Sequence, residues 1–178
     1  GDRPLIGPLS ASLYYKIERI RQFDVFINGL YSPEDNRTML IGSLVPSLIF
    51  DTRDNPLTTT RGVLINLSWE YAHPAFSFQS NTEHSAVAYH RITGSSHIYV
   101  PLSDQITWSS VIAGGFARAN ISGRPIPLIK LFRLGGYNSI RGVPEDSVNM
   151  NEESILGTIS FINLRTQVEL PFIGELRF

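Results

Sequence analysis

The sequence predicts an all-β chain folded as an antiparallel, up-and-down sheet of membrane-spanning strands, part of a transmembrane β-barrel. Three features point there. Hydrophobic residues recur with period two over long stretches and almost nowhere with the 3.6-residue period of an amphipathic helix. The alternating runs reach about ten residues or more, whereas strands of soluble proteins cluster near five or six. The connections alternate between short turns and long polar loops, as in an outer-membrane barrel; a soluble sandwich is the competing reading, which the strand length disfavours.

In chain order, the first strand is read from Leu9 to Ile20, with Ala11, Leu13, Tyr15 and Ile17 opposite Ser10, Ser12, Lys16 and Glu18. The second, Leu40 to Asp51, sets Leu40, Leu44, Leu48 and Phe50 against Ser43, Ser47 and Asp51. Gly62 to Ala72 alternates most clearly: Val63, Ile65, Leu67, Trp69 and Tyr71 face one way and Leu64, Asn66, Ser68, Glu70 and Ala72 the other. Ser85 to Val100 places Arg91, Thr93, Ser95 and His97 opposite Ala88, Ile92, Ile98 and Val100, with His90 intruding on the apolar side. In Ile106 to Ala117 the large residues Ile106, Trp108, Ile112 and Phe116 oppose Thr107, Ser109, Ala113 and Gly115. Ile155 to Leu170 ends with Asn163, Arg165, Gln167 and Glu169 against Ile162, Leu164, Val168 and Leu170, and Gly174 to Phe178 reads as the start of a further strand. The short connections are 51–61, 101–105 and 171–174; the long ones are 21–39, 73–84 and 118–154.

Six complete strands and one partial strand cannot close an even-stranded barrel, so residues 1–178 are expected to be part of one larger barrel domain. In such a barrel the apolar faces meet lipid and the polar faces a wet lumen, because every spanning backbone group must be paired. Trp69, Trp108, Tyr14, Tyr15 and Tyr71 are then expected to face lipid or to join interfacial girdles. No run approaches the 18 or so apolar residues of a transmembrane helix; Leu44 to Phe50 is short and contains Pro46. Gly1-Asp2-Arg3-Pro4 lacks a basic region leading into an apolar core, which reads as a mature or trimmed chain.

Composition removes several kinds of chemistry. Fifteen Lys and Arg against sixteen Asp and Glu leave a formal charge of -1, with no bulk field to draw in nucleic acid. There is no cysteine, hence no thiolate site or cysteine nucleophile. His73, His84, His90 and His97 form no recognised metal spacing, and the last two, seven apart on a strand, fall on opposite faces. Neither a Gly-x-Ser-x-Gly elbow nor a phosphate-cradling loop with Lys-Ser/Thr is present. Glu152 and Glu153 are adjacent loop residues and read as solvated, so no enzyme activity, cofactor or metal is expected.

Two motifs remain. The long loop, expected to fold inward over about 118–154, contains Gly135-Gly136 and then Ile140-Arg141-Gly142-Val143. The short turn carries Asp51-Thr52-Arg53-Asp54-Asn55-Pro56-Leu57 and then Thr60-Arg61-Gly62, in which Asn55-Pro56 sets the bend. Taken singly, an Arg-Gly pair in a glycine-rich loop is most often an exposed turn, and Asp51, Arg53 and Asp54 read as turn-locking residues that catalyse nothing.

Together and in this order, the two motifs resemble the outer-membrane-protein 85 superfamily, the barrels of BamA and TamA type. Its sixth extracellular loop carries Val/Ile-Arg-Gly-Phe/Tyr after a Gly-Gly turn, and Ile140, Arg141 and Gly142 match three of four positions, with Val143 standing where an aromatic is usual. The resemblance implies a sixteen-stranded barrel whose seventh to early thirteenth strands this chain supplies, with the long loops extracellular. It implies residence in a Gram-negative outer membrane, an organelle outer membrane being the weaker alternative. The implied function is outer-membrane protein assembly: client β-barrel proteins pair with an opened seam between the first and sixteenth strands, neither of which is here. The implied partners are outer-membrane lipids, client or secreted polypeptides, and periplasmic domains or accessory subunits of the parent, with no nucleic acid. A two-partner secretion translocator and a passive porin-like channel are the alternatives. As a latch, Arg141 needs a wall carboxylate for a charge-assisted pair; the family pattern points to Glu169, with Glu70 as second choice.

Overall fold

The computed structural model describes residues 3–21, 26–27, 30–31, 38–77, 87–120, 126–136, 139–144, 148 and 157–169. Among the described residues there are nine strands: β1 (Arg3–Ile6), β2 (Leu9–Arg21), β3 (Phe26–Ile27), β4 (Leu30–Tyr31), β5 (Thr38–Asp51), β6 (Gly62–Ala72), β7 (Tyr89–Pro101), β8 (Thr107–Ala119) and β9 (Ser160–Glu169). Seven form one antiparallel sheet in the order β1-β2-β5-β6-β7-β8-β9, and β3 and β4 pair separately. Apart from that small hairpin, each strand pairs with the next, the up-and-down arrangement expected from alternating short and long connections. The short turns lie at one end of the sheet and the long loops at the other.

The register aligns the faces. Ser47 pairs with Ser68, Ser68 with Thr93 and Thr93 with Gly115 on one side; Leu48 pairs with Leu67 on the other. The second, outer face exposes Leu13, Tyr15, Ile17, Leu48, Phe50, Ile65, Leu67, Trp69, Ile92, Ile112, Phe116, Ile162, Leu164 and Val168. Apolar exposure on that scale needs a hydrocarbon environment. The inner face carries Lys16, Glu18, Glu70, Arg91, Arg165 and Glu169, and the long loop after β8 packs on it through Lys130 and Phe132.

Several expectations are corrected. The fourth predicted strand begins at Tyr89, not Ser85, and the last begins at Ser160, not Ile155, because Thr158 pairs with Phe132 of the loop. β1 was not anticipated; it turns back onto β2 through Gly7, whose positive φ of 54° suits a tight turn. The 21–39 connection contains the β3–β4 hairpin, and the strand expected at 174–178 lies outside the described residues. Tyr14 does not face lipid, since it pairs with Val45 between Leu13 and Tyr15 and so lies on the inner face. His90 does lie on the outer face, where Trp69 donates to its Nδ1 at 3.2 Å and Tyr71 stacks on it at 4.7 Å. Nor is the inner face wet throughout: at the long-loop end Met39, Ile41, Ala72, Tyr89, Ala117, Ile126 and Phe132 form a dry cluster. Alternation marks a residue as inward, but the loop decides whether that position sees water.

Candidate functional site: the loop on the inner wall

The loop leaves β8 and returns at Ile126, where Pro127 leads into a single 3-10 turn over Leu128–Lys130. That turn projects Lys130, the only lysine in residues 118–154, onto the wall. Its ammonium bridges Glu18 of β2 and Glu70 of β6, the latter at 3.4 Å. Lys130 and Glu70 are both buried, at 8% and 7% exposure, so the charges must balance locally. They do so within one cluster. The Glu70 carboxylate also accepts hydrogen bonds from Tyr89 Oη at 2.7 Å and Ser43 Oγ at 3.4 Å, and Arg91 Nη1 lies 3.9 Å from it. Glu18 keeps a second cation, Lys16, at 3.0 Å.

Phe132 completes this foot. Its backbone exchanges two 2.8 Å hydrogen bonds with Thr158, and its ring meets Phe161 of β9 at 4.9 Å between centroids. Arg91 lies over the same ring, 4.5 Å from its centre, so one guanidinium sits near both Glu70 and the loop's aromatic group. The close approach depends on glycine: a Cβ on Gly115 would lie 2.6 Å from the Phe132 ring, and one on Gly157, at φ 128°, 2.8 Å from Leu131.

Beyond the foot the loop continues along the inner face. Gly135 and Gly136 have φ of 128° and 81°, Gly135 N–H donates to Ser139 Oγ at 2.7 Å, and Gly136 and Ile140 form a bridge that closes the tip. Val143 contributes through its backbone, its carbonyl accepting from Gly136 N–H at 2.9 Å. Asn163 of β9 donates its side-chain N–H to the Ser139 carbonyl at 2.6 Å, fixing the tip to the wall. Ile140 and Arg141 then line a cavity of about 690 Å³ with His97, Tyr99, Arg165, Gln167 and Glu169. Between Phe161 at the foot and Gln167 in this cavity, β9 advances about 20 Å.

Arg141 and Glu169 therefore share one cavity, where Gln167 donates to Glu169 at 2.8 Å. Glu70, the other acid considered, belongs to the foot, with Lys130 and Arg91 as its cations. Sequence reading missed the foot. The available signal was that Glu18 and Glu70 both face inward, so two carboxylates called for a cation from elsewhere.

The short-turn motif occupies the opposite end of the sheet. Arg53 pairs with Asp51 through two parallel bonds of 2.9 and 2.8 Å. Asp54 accepts from the Thr60 hydroxyl at 2.5 Å and from the backbone N–H groups of Thr60 and Arg61 at 3.0 and 3.2 Å. These bonds, the Thr60 hydroxyl foremost, hold its carboxyl below the usual carboxylate range. Asn55 Oδ1 accepts from Leu57 N–H at 2.9 Å just before the Pro56 bend relaxes into the exposed Leu57. Gly62, at φ 122°, lets the returning strand pass the Thr52 carbonyl, which a Cβ would meet at 2.5 Å. Among the described residues no group of His, Asp and Glu could hold a metal ion.

Comparison with known proteins agrees with this architecture. A profile of the Omp85 superfamily domain matches residues 8–177. Among solved structures the chain is similar to BamA from Haemophilus ducreyi lacking POTRA domains 1-3, with a TM-score of 0.73 at 15% sequence identity. The match covers 98% of this chain and 37% of that one, so the chain spans little more than a third of that protein. At this identity the likeness describes the fold. No curated protein sequence matches.

Proposed function

Because the chain belongs to the Omp85 superfamily, we propose that it forms part of a barrel insertase in the outer membrane of a Gram-negative bacterium. Its clients are nascent β-barrel proteins. An unpaired strand edge in the full barrel templates client strands by sheet augmentation, which uses main-chain hydrogen bonds and needs no nucleotide or cofactor. Its partners are the bilayer lipids, the clients, and the periplasmic domains or accessory subunits of the parent protein. The observation that carries this reading is the placement of the loop, whose tip brings Arg141 into the cavity of Glu169.

In this reading Arg141 is a positioning residue. A guanidinium can hold a wall carboxylate in bidentate geometry, and Gly142, at φ 83°, shapes the backbone that delivers it. The pair sets where the loop lies and need not stabilise the fold, since desolvation offsets much of the attraction. A lumen occupied by its own loop suits an insertase or a gated translocator better than a passive porin.

The test uses the full-length parent in liposomes. Accelerated folding of an added outer-membrane client supports the insertase; export of a polypeptide through the barrel, or solute flux alone, overturns it in favour of a secretion translocator or a porin. Arg141→Ala is expected to lower client folding more than Arg133→Ala, and exchanging the charges as Arg141→Glu with Glu169→Arg to restore part of the loss. Equal losses from the two alanine variants count against the latch.

A further inference from the structure

The outer faces of β2 and β5–β9 carry no acidic side chain, and their only formal charges are three arginines: Arg19 and Arg21 of β2 and Arg118 of β8. All three lie at the long-loop end. At the short-turn end the outer face finishes in Leu9, Phe50, Val63, Val100, Trp108 and Val168. Among the described residues no carboxylate pairs with any of these three arginines. Trp108 and Arg118 are ten residues apart on β8, about 34 Å along a strand. At a usual barrel tilt of about 40° this is roughly 26 Å across the bilayer, close to the height of a barrel's apolar band. Arg118 therefore sits at headgroup level when Trp108 sits at the opposite interface.

Arg118 has a neighbour suited to the same ligand. It pairs across strands with His90, which pairs with Tyr71. Trp69 N–H occupies His90 Nδ1, so the neutral imidazole carries its proton on Nε2 and has that donor left to offer. Tyr71 and Trp69 stack on the imidazole and hold its plane. Below them the strands expose Ile92 and Phe116, which suit acyl chains.

We propose that Arg118 and His90 form a binding site for the phosphate of an anionic lipid in the leaflet on the long-loop side, with Arg19 and Arg21 extending the same basic rim. Charge complementarity and continuity with the apolar face select a lipid as occupant. The site rests on the outer face meeting a bilayer and is independent of the insertase reading.

The test places the full-length parent in phosphatidylcholine nanodiscs with a trace of either phosphatidic acid or phosphatidylcholine bearing a diazirine at the top of the acyl chain. After irradiation, adducts on the peptide containing Arg118 are counted by mass spectrometry. Phosphatidic acid should label this peptide about fivefold more than phosphatidylcholine, the preference one basic side chain confers at an anionic surface. Arg118→Gln should abolish the preference, while Arg118→Lys and the far-end control Arg61→Gln keep it. Equal labelling by the two lipids in the unaltered protein, which requires no variant to fold, overturns the proposal, as does a preference that survives Arg118→Gln in a barrel with normal heat-modifiable mobility.

Discussion

Replacing Lys130 by methionine keeps the length of the side chain and removes its charge, leaving Glu18 and Glu70 without the cation that joins them. Breaking a fully buried ion pair by removing one partner costs about 3–5 kcal/mol. Here the cost is smaller, because neither acid is left bare: Glu18 is 28% exposed and keeps Lys16 at 3.0 Å, and Glu70 keeps Tyr89 at 2.7 Å and Arg91 at 3.9 Å. About 2–3 kcal/mol is a reasonable expectation, taken up mainly as weaker docking of the loop, since the strand ladders do not pass through Lys130. Trypsin reads this directly at Arg133, which is exposed and follows the foot. Where cleavage tracks the open population, that energy corresponds to roughly 30- to 150-fold faster cutting in the full-length parent. Lys130→Met combined with Glu70→Gln should be cut more slowly than Lys130→Met alone, because the second change removes the acid left short of a cation. Cleavage of Lys130→Met within twofold of the unaltered protein, with the barrel itself intact, would refute the assignment of Lys130 as the loop's anchor.

Other outcomes follow from local geometry. Gly157→Ala combines a left-handed φ with a Cβ placed 2.8 Å from the Phe132 carbonyl, so it should loosen the foot by about 1–3 kcal/mol. Gly94→Ala, whose Cβ would meet nothing closer than 3.7 Å, should be nearly silent; thermal loss of heat-modifiable mobility compares the two. The depressed Asp54 carboxyl contributes turn stability above its unfolded value of about 3.8, and this contribution fades as pH falls below that value toward the lower folded pKa. The protection of amides in 52–62, measured as exchange relative to the intrinsic rate at each pH, should accordingly fall in acid, and Asp54→Asn should flatten that fall by removing the titrating group.

The two loop motifs and the strand alternation are legible in the sequence because both are local. Period two assigns a residue to a face without knowledge of its neighbours, which is why Gly62 to Ala72 was read with its boundaries and faces as found. By the same rule Tyr14, set between Leu13 and Tyr15, belongs to the inner face. The start of β9 was misread for a different reason: residues before Ser160 alternate acceptably, but Thr158 takes its partner from a loop segment 26 positions earlier.

By itself, then, the order of residues determined the strands, their two faces, the turn chemistry from Asp51 to Gly62 and the delivery of an arginine by a glycine-rich tip, since each depends on backbone preferences within a few positions. Only the tertiary structure decided where the loop docks. Lys130 meets Glu18 across 112 positions and Glu70 across 60, and Arg91 lies between Glu70 and Phe132 because three separate segments converge. A buried charge takes its partner from whatever the fold brings within reach, and that proximity is a property of the folded sheet, with no periodicity in the chain to announce it.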